Sequence, residues 1–376
     1  MSTPSTLRCV VLGAGIMGRL IAWQLARQGH DVTVYEAGSP DAQGSPARVA
    51  AAMLAPLAES AITEASVVRM GHYALGRWPE LLAQLSSPVF FQQSGTLILW
   101  HRQDAPEAQR FTRLLQTTQQ QLPELPPMQM LDSAGVQSLE PSLEHRFTQG
   151  AYLPGEGQLD NRQLLQALLH ELEQLGVALH WNSPREPQDF AARAGGPATL
   201  DWIVDCRGMG AGQWAQLRGV RGEVARIHAP DVQLSRPTRL IHPRYPIYIA
   251  PKPDGLFVIG ATEIESNDRS PPSVRSTLEL LSAAYAVDPG FAEGRIVEIA
   301  TQCRPTLPDN LPAMRISKAN TSTSSQPHVL AINGLYRHGF MISPALLDVA
   351  LECMQQGPSA LGAKLQLHIT SSGHDA

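Results

Sequence analysis

RCVVLGAGIMGRLIAWQLARQGHDVTVYE, running from Arg8 to Glu36, decides the fold. Its apolar run Cys9 to Leu12 is long enough for one buried strand and empties directly into Gly13-Ala14-Gly15-Ile16-Met17-Gly18. Apolar residues then recur at helical spacing through Ile16, Leu20, Ile21, Trp23 and Leu25, and Gly29 suits a left-handed C-terminal cap. A second strand, Val32 to Tyr35, ends at Glu36. Strand, glycine turn, helix, strand and acid is the order that binds a dinucleotide. Gly13 permits the tight turn, Gly15 lets the backbone approach a pyrophosphate, and Gly18 lets the helix pack closely on the strand. Ala14, Ile16 and Met17 complete the loop, whose free N–H groups at the helix N-terminus favour negative charge. Glu36, followed by Ala37, is placed to accept hydrogen bonds from an adenosine ribose. An acid there disfavours a 2′-phosphate, so FAD or NAD fits better than NADP.

Working outward, 376 residues suffice for two interwoven domains with substantial cores. A net charge of −5 with 29 Lys and Arg gives no basic field for nucleic acid. Cys9, Cys206, Cys303 and Cys353 are scattered, which argues against a disulfide framework or a zinc ribbon. No apolar run approaches the roughly 18 residues of a spanning helix, and the N-terminus lacks a charged region followed by a separate apolar one. The expectation is a cytoplasmic protein without membrane contact. His242 and His338 have no partner at metal spacing, so packing roles and no metal are expected.

Along the chain, Ala47 to Pro56 is unusually rich in small side chains, which either form a well-packed helix or let something flat and large approach the backbone. Helices are expected over Thr63 to Leu85, Ala105 to Leu122 and Asn161 to Leu175. Strands are expected at Val89 to Gln92, Thr96 to Trp100, Val177 to Trp181 and Trp202 to Asp205. The last leads into a second glycine cluster, Gly208 to Gly212, either an ordinary turn or a cover for the adenine side of a dinucleotide. From Gly219 the pattern becomes short alternating strands: Gly222 to Ile227, Tyr245 to Ala250 and Leu256 to Gly260, followed by helix Ser273 to Tyr285 and strand Arg295 to Gln302. The last strand expected is Val329 to Ile332. A final helix, Ala345 to Met354, follows with Ser343 as N-cap and Pro344 at its first position, and the tail after Gln366 reads as frayed.

Several segments in one order carry a resemblance: the opening unit, Ala47 to Pro56, Arg221-Gly222-Glu223 read as a turn, YIAPKPDGLFVIGAT, CRPTLPDNLP and GLYRHGFMISP. Together they are similar to the D-amino acid oxidase family of FAD flavoproteins, and within it to the glycine oxidases of thiamin biosynthesis. The likeness covers nearly the whole chain and is weakest between about 111 and 146. It implies an α/β fold, with a Rossmann-like FAD-binding domain (1–85, 150–220 and 296–376) interwoven with a mostly antiparallel substrate domain (86–149 and 221–295). It implies non-covalent FAD on Gly13, Gly15, Gly18 and Glu36, with Ala51, Ala52 and Met53 alongside the isoalloxazine. Gly208, Gly334 and the loop Tyr336, Arg337, His338, Gly339, Phe340 and Met341 would close on the flavin. Arg304 takes the place of the arginine that grips the substrate carboxylate, Tyr248 that of an assisting tyrosine, and Arg337 belongs to the same catalytic group. Arg48 stands where a small residue is usual, and the segment 182–186 is given no contact.

The chemistry implied needs little acid–base machinery: a neutral amine, a Cα–H aimed at flavin N5, and a fork for the carboxylate. A guanidinium supplies that fork with two charge-assisted bonds. The helix N-terminus after Ser343 would stabilise charge developing near flavin N1 and O2. Cys303 reads as a small buried cysteine rather than a covalent flavin anchor. The implied activity is oxidation of glycine, sarcosine or small D-amino acids with dioxygen as acceptor, by a homo-oligomer whose imine product would reach a thiazole synthase. Competing readings are a dehydrogenase that passes electrons to a quinone, a flavin-binding maturation subunit without turnover, and an NAD dehydrogenase.

Overall fold

The computed structural model describes residues 6–143, 145–190, 200–242, 246–317 and 326–372. The opening strand Arg8–Leu12 sits in the middle of a seven-stranded sheet, paired in parallel with Asp31–Tyr35 on one side and Trp202–Asp205 on the other. Ala178–His180 extends the first side, and His328–Asn333, Ala313–Ser317 and His368–Ser372 extend the second. A parallel strand covered on both faces must be apolar on both, and Cys9 and Val11 pack into one apolar cluster while Val10 and Leu12 pack into another. The helix Ile16–Arg27 follows without an intervening loop residue beyond Gly15, and Gly29 closes it at φ +85°.

A second, larger sheet runs Ile264–Glu265, Arg218–His228, Leu256–Gly260, Ile247–Pro251, Thr238–Ile241, Thr96–Trp100, Gln149–Leu153 and Gln129–Asp132, with Arg295–Thr306 also on Arg218–His228. It is antiparallel but for the contact between Thr238–Ile241 and Thr96–Trp100. A small antiparallel sheet of Met53–Leu54, Gly157–Leu159 and Phe91–Gln92 lies beside these two. The mixed α/β architecture expected from the sequence is therefore present.

Several local expectations need correction. Ala47 to Pro56 is no continuous helix: a turn of helix at Pro46–Val49 gives way to Met53–Leu54, with Ala52 at φ +52° between them. Arg221-Gly222-Glu223 is no turn either, but the middle of the 11-residue strand Arg218–His228. Arg295–Thr306, mostly assigned with the cofactor part of the chain, hydrogen-bonds into the larger sheet. As far as Ser372 the tail is not frayed, because His368–Ser372 forms a parallel edge strand; polar alternation and a short length hid it. The strand Ile247–Pro251 starts later than expected, and Tyr245 lies outside the described residues.

The closing helix begins at Gly339, not Ala345, and runs to Gln356, so Ser343 is no cap and Pro344 is not at the first position. A proline there removes the N–H that would bond the carbonyl four residues earlier. That carbonyl belongs to Phe340, and it accepts from Trp78 Nε1 at 3.0 Å instead. A side chain from Ala65–Leu82 thus satisfies the acceptor, and the helix continues through the proline. A short helix, Ala360–Leu365, follows it.

Candidate functional site

The first half of the site is the glycine turn. Gly13 stands at φ +91°, and a Cβ there would lie 2.7 Å from the Cys206 carbonyl oxygen, so the turn abuts the residues just before the second glycine cluster. A Cβ on Gly18 would lie 1.8 Å from the Gly13 oxygen, so the helix packs on the turn only because Gly18 has no side chain. No side chain caps the helix at Gly15, which leaves its first N–H groups for an anion. The Ser45 hydroxyl lies 3.2 Å from where a Gly15 Cβ would be, bringing a second polar group to the turn. Glu36 bonds the Ala14 N–H at 2.5 Å and the Gly38 N–H at 2.8 Å, so its carboxylate is fixed at the mouth of the loop. These groups fit the pyrophosphate and ribose of a dinucleotide.

The segment left unplaced by the sequence joins this half. Asn182 N–H donates to Gly38 O at 2.9 Å and Ser183 N–H to Glu36 O at 2.8 Å, while the Arg185 guanidinium lies over the Tyr35 ring. Residues 182–185 therefore lie beside Glu36 and the end of its strand. The only hint was position after a strand, since neither Asn182 nor Ser183 belongs to a periodic pattern.

Between the two halves runs the Ala-rich segment. Lys252, buried, donates from Nζ to Ala51 O at 2.9 Å, Leu159 O at 2.7 Å and Gln158 Oε1 at 3.0 Å. Three acceptors use all three ammonium protons, although burial pulls this lysine down to about 7. Asn161 Nδ2 holds Ala47 O and Arg48 O at 2.7 and 2.8 Å. Arg48 itself points to the Asp41 carbonyl at 3.2 Å. The backbone of 47–52 is thus held from outside, with small side chains toward the interior.

The second half lies on the larger sheet. Arg304 pairs across the ladder with Val220, and its guanidinium crosses Gly222, where a Cβ would come within 2.4 Å of Nη2. Its Nη1 donates to Thr262 O at 3.2 Å, and among the described residues no carboxylate lies within ion-pair distance of it. Burial lowers its pKa. Tyr248 lies over Gly260 in the same way, its hydroxyl 2.5 Å from a would-be Cβ, and makes no hydrogen bond among the described residues. Burial raises its pKa, opposed by the Arg304 charge nearby. The structure thus brings Tyr248 and Arg304 together.

Arg337 is differently placed. It pairs with Glu59 at 2.9 Å and Glu263 at 2.7 Å, and Glu59 also pairs with Arg239 at 3.0 Å. Burial works against the Arg337 charge, but the two carboxylates outweigh it and raise its pKa. Burial pushes Glu59 up, yet Arg337 and Arg239 prevail and hold it at about 2. His338, 3.7 Å from Glu59, is driven by burial down to about 4 and is neutral at pH 7. Tyr336, at φ +49°, bonds Glu263 through its hydroxyl. Glu59, Arg239 and Glu263 were missed by sequence reading, because ion pairs across 74 to 278 residues leave no local pattern. Around this cluster three arginines face two carboxylates, and the unmatched charge is that of Arg304.

The closing helix presents Gly339, Phe340 and Met341 at an N-terminus that no side chain caps. Gly334, at φ +75°, and Gly208, whose carbonyl accepts from Asn333 Nδ2 at 3.0 Å, lie at the approach to it. Cys303 is buried, with Sγ 3.5 and 3.4 Å from the carbonyls of Ser266 and Asp268. Among the described residues no group of three metal-ligating side chains occurs, and no helix is long and apolar enough to cross a membrane.

Comparison with known proteins gives a match to the family model described as FAD dependent oxidoreductase over residues 8–347. A Rhizobium etli protein that carries the name of a thiamine biosynthesis oxidoreductase, ThiO, is 38% identical over 342 residues, which are 90% of this chain and 94% of that one. The bifunctional protein ThiO/ThiG of Synechocystis is 25% identical over 376 residues, 90% of this chain but 50% of that longer protein. The crystal structure of glycine oxidase from Geobacillus kaustophilus superposes with a TM-score of 0.76 at 23% identity, covering 94% of this chain and 95% of that one.

Proposed function

The chain belongs to the FAD-dependent oxidoreductase family, and from that premise we propose that it is a glycine oxidase. Its substrates are glycine, sarcosine and small D-amino acids, and it supplies the glycine imine to a thiazole synthase in the cytoplasm. The observation that carries this reading is Arg304: a half-buried guanidinium with no carboxylate of its own among the described residues, beside a tyrosine hydroxyl that has no partner among them either. Such a site takes one carboxylate, Arg304 offering a fork and Tyr248 a further donor. The fusion of a similar chain with ThiG supports the link to the thiazole.

The residues divide the work. Gly13, Ala14, Gly15, Ile16, Met17, Gly18 and Glu36, with Ala37, hold the adenosine and pyrophosphate end of FAD. Ala51, Ala52 and Met53 border the ring, and Gly208, Gly334 and Tyr336 through Met341 close over it. Bound FAD supplies the two-electron acceptor. The protein holds the carboxylate so that the Cα–H of a neutral amine faces that acceptor, which is catalysis by positioning. Arg337, fixed by Glu59 and Glu263, would keep the loop beside the ring in place, its charge matched by those two carboxylates. The imine formed adds water to give the oxo acid and ammonia, and dioxygen takes the two electrons and two protons as hydrogen peroxide.

The visible spectrum tests this directly. Glycine added without oxygen should bleach the flavin bands, and air should restore them with release of peroxide. Bleaching without return would point to a quinone-linked dehydrogenase, and no bleaching by any small amino acid would leave a flavin-binding subunit. Arg304→Ala should raise KM about a hundredfold, because a desolvated carboxylate is left unpaired. Unchanged substrate binding would overturn the assignment.

A further inference from the structure

The helix Val274–Val287 has two apolar faces. One packs into the larger domain through Ser276, Leu280, Ala283, Ala284 and Val287. The other faces water: Val274, Leu278 and Tyr285 are 77, 60 and 53% exposed, with Leu281 half-buried between them. Beside it the start of strand Arg295–Thr306 leaves Ile296 and Val297 at 54 and 60%. A groove of about 340 Å³, lined by Leu281, Tyr285, Phe291 and Ile296 among others, makes helix and strand one surface. Five of the ten large apolar side chains exposed among the described residues fall here, so this is a patch rather than scatter, of a kind that marks an interaction site.

We infer that this face joins two copies of the chain, helix against helix in antiparallel orientation about a two-fold axis. Residues 274, 278, 281 and 285 are spaced four, three and four, a sequence that reads the same in both directions. An isologous contact needs a surface that is its own complement. With the axis passing between Glu279 and Leu280, Val274 meets the partner's Tyr285 and Leu278 meets the partner's Leu281. Spacings of three and four also form the seam of packed helices. Arg275 and Ser282 flank the seam and keep its rim polar, as at a protein interface. Ile296 and Val297 widen the contact toward the roughly 800 Å² that each partner of a stable pair covers. The strand does not extend into a continuous sheet between copies, because its register shifts at Arg226/Ile227, where Val297 has no opposite residue. Side chains, not backbone, make the contact. Ile296 is eight residues from Arg304 on that strand, about 26 Å at strand rise, so pairing leaves the candidate active site open.

Sedimentation velocity on the full-length, flavin-loaded protein tests the inference. At micromolar concentration the wild type should have at least twice the mass of one chain. Leu278→Glu should halve that mass with flavin spectrum and turnover unchanged. Under oxidising conditions the double variant Val274→Cys/Tyr285→Cys should form a covalent dimer on denaturing gels, and neither single variant should. A monomeric wild type, a Leu278→Glu protein of unchanged mass, or a Val274→Cys single variant that cross-links as well as the double one would each overturn it. So would a mass accounted for by one chain and a different polypeptide. If Leu278→Glu loses its flavin through misfolding, the cysteine pair decides alone.

Discussion

Glycines do opposite things in the two halves of this molecule. At the opening turn, the missing side chains of Gly13 and Gly18 let backbone meet backbone: one would-be Cβ strikes the Cys206 carbonyl, the other the Gly13 oxygen. On the larger sheet, Gly222 and Gly260 make room for side chains, the guanidinium of Arg304 and the ring of Tyr248. Backbone cannot retreat, whereas a long side chain can. A methyl group should therefore be ruinous at the turn and merely costly on the sheet, and the two sites should fail in different observables.

The largest effect is expected from Gly18→Ala. With 1.8 Å to the Gly13 oxygen, helix and turn must part. FAD affinity should fall about a hundredfold or more, read as flavin absorbance per protein after gel filtration; full retention would break the comparison. Gly222→Ala should come next. The new methyl displaces the end of Arg304, raising KM for glycine about tenfold while flavin content and spectrum stay as in the wild type. Loss of flavin in that variant would show the two halves to be less separable than their glycines suggest.

A third test, which leaves binding of flavin and substrate aside, concerns Glu156, which accepts from the Ala58 N–H at 2.9 Å and so holds the turn that carries Glu59. Burial raises its carboxyl from 4.5 to about 7. The folded state then keeps a proton that the unfolded state has released, so stability is full below about pH 4.5 and falls as pH rises to about 7. The loss is up to about 3 kcal/mol. Glu156→Gln, neutral at every pH, should remove that slope when Tm is followed from pH 4.5 to 7.5; parallel curves for the two proteins would refute the assignment.

The same contrast explains what was legible in the sequence. Arg8 to Glu36 is one continuous motif whose strand, turn and helix each leave a local pattern, so fold class and dinucleotide chemistry could be read from 29 residues. Arg304 and Tyr248 became candidates only through resemblance, since nothing local distinguishes them from surface or core residues. Glu59, Glu263 and Arg239 were invisible because their partners are distant in sequence. The start of the closing helix was misread because Pro344 is a normal helix opener. Trp78, 262 residues before Phe340, supplies the bond that lets the helix run through it.

The seven-stranded sheet also sets the order in which this protein can be made. Its central strand leaves the ribosome some 190 residues before the neighbour Trp202–Asp205 and some 360 before the edge His368–Ser372. Such long-range pairing is slow and leaves apolar strands uncovered meanwhile. The dinucleotide turn leans on Cys206, so the nascent chain cannot shape it before residue 206 has been added. Flavin loading therefore waits on long-range pairing, and the supply of FAD when the edge strand docks should govern how much of the newly made chain becomes enzyme.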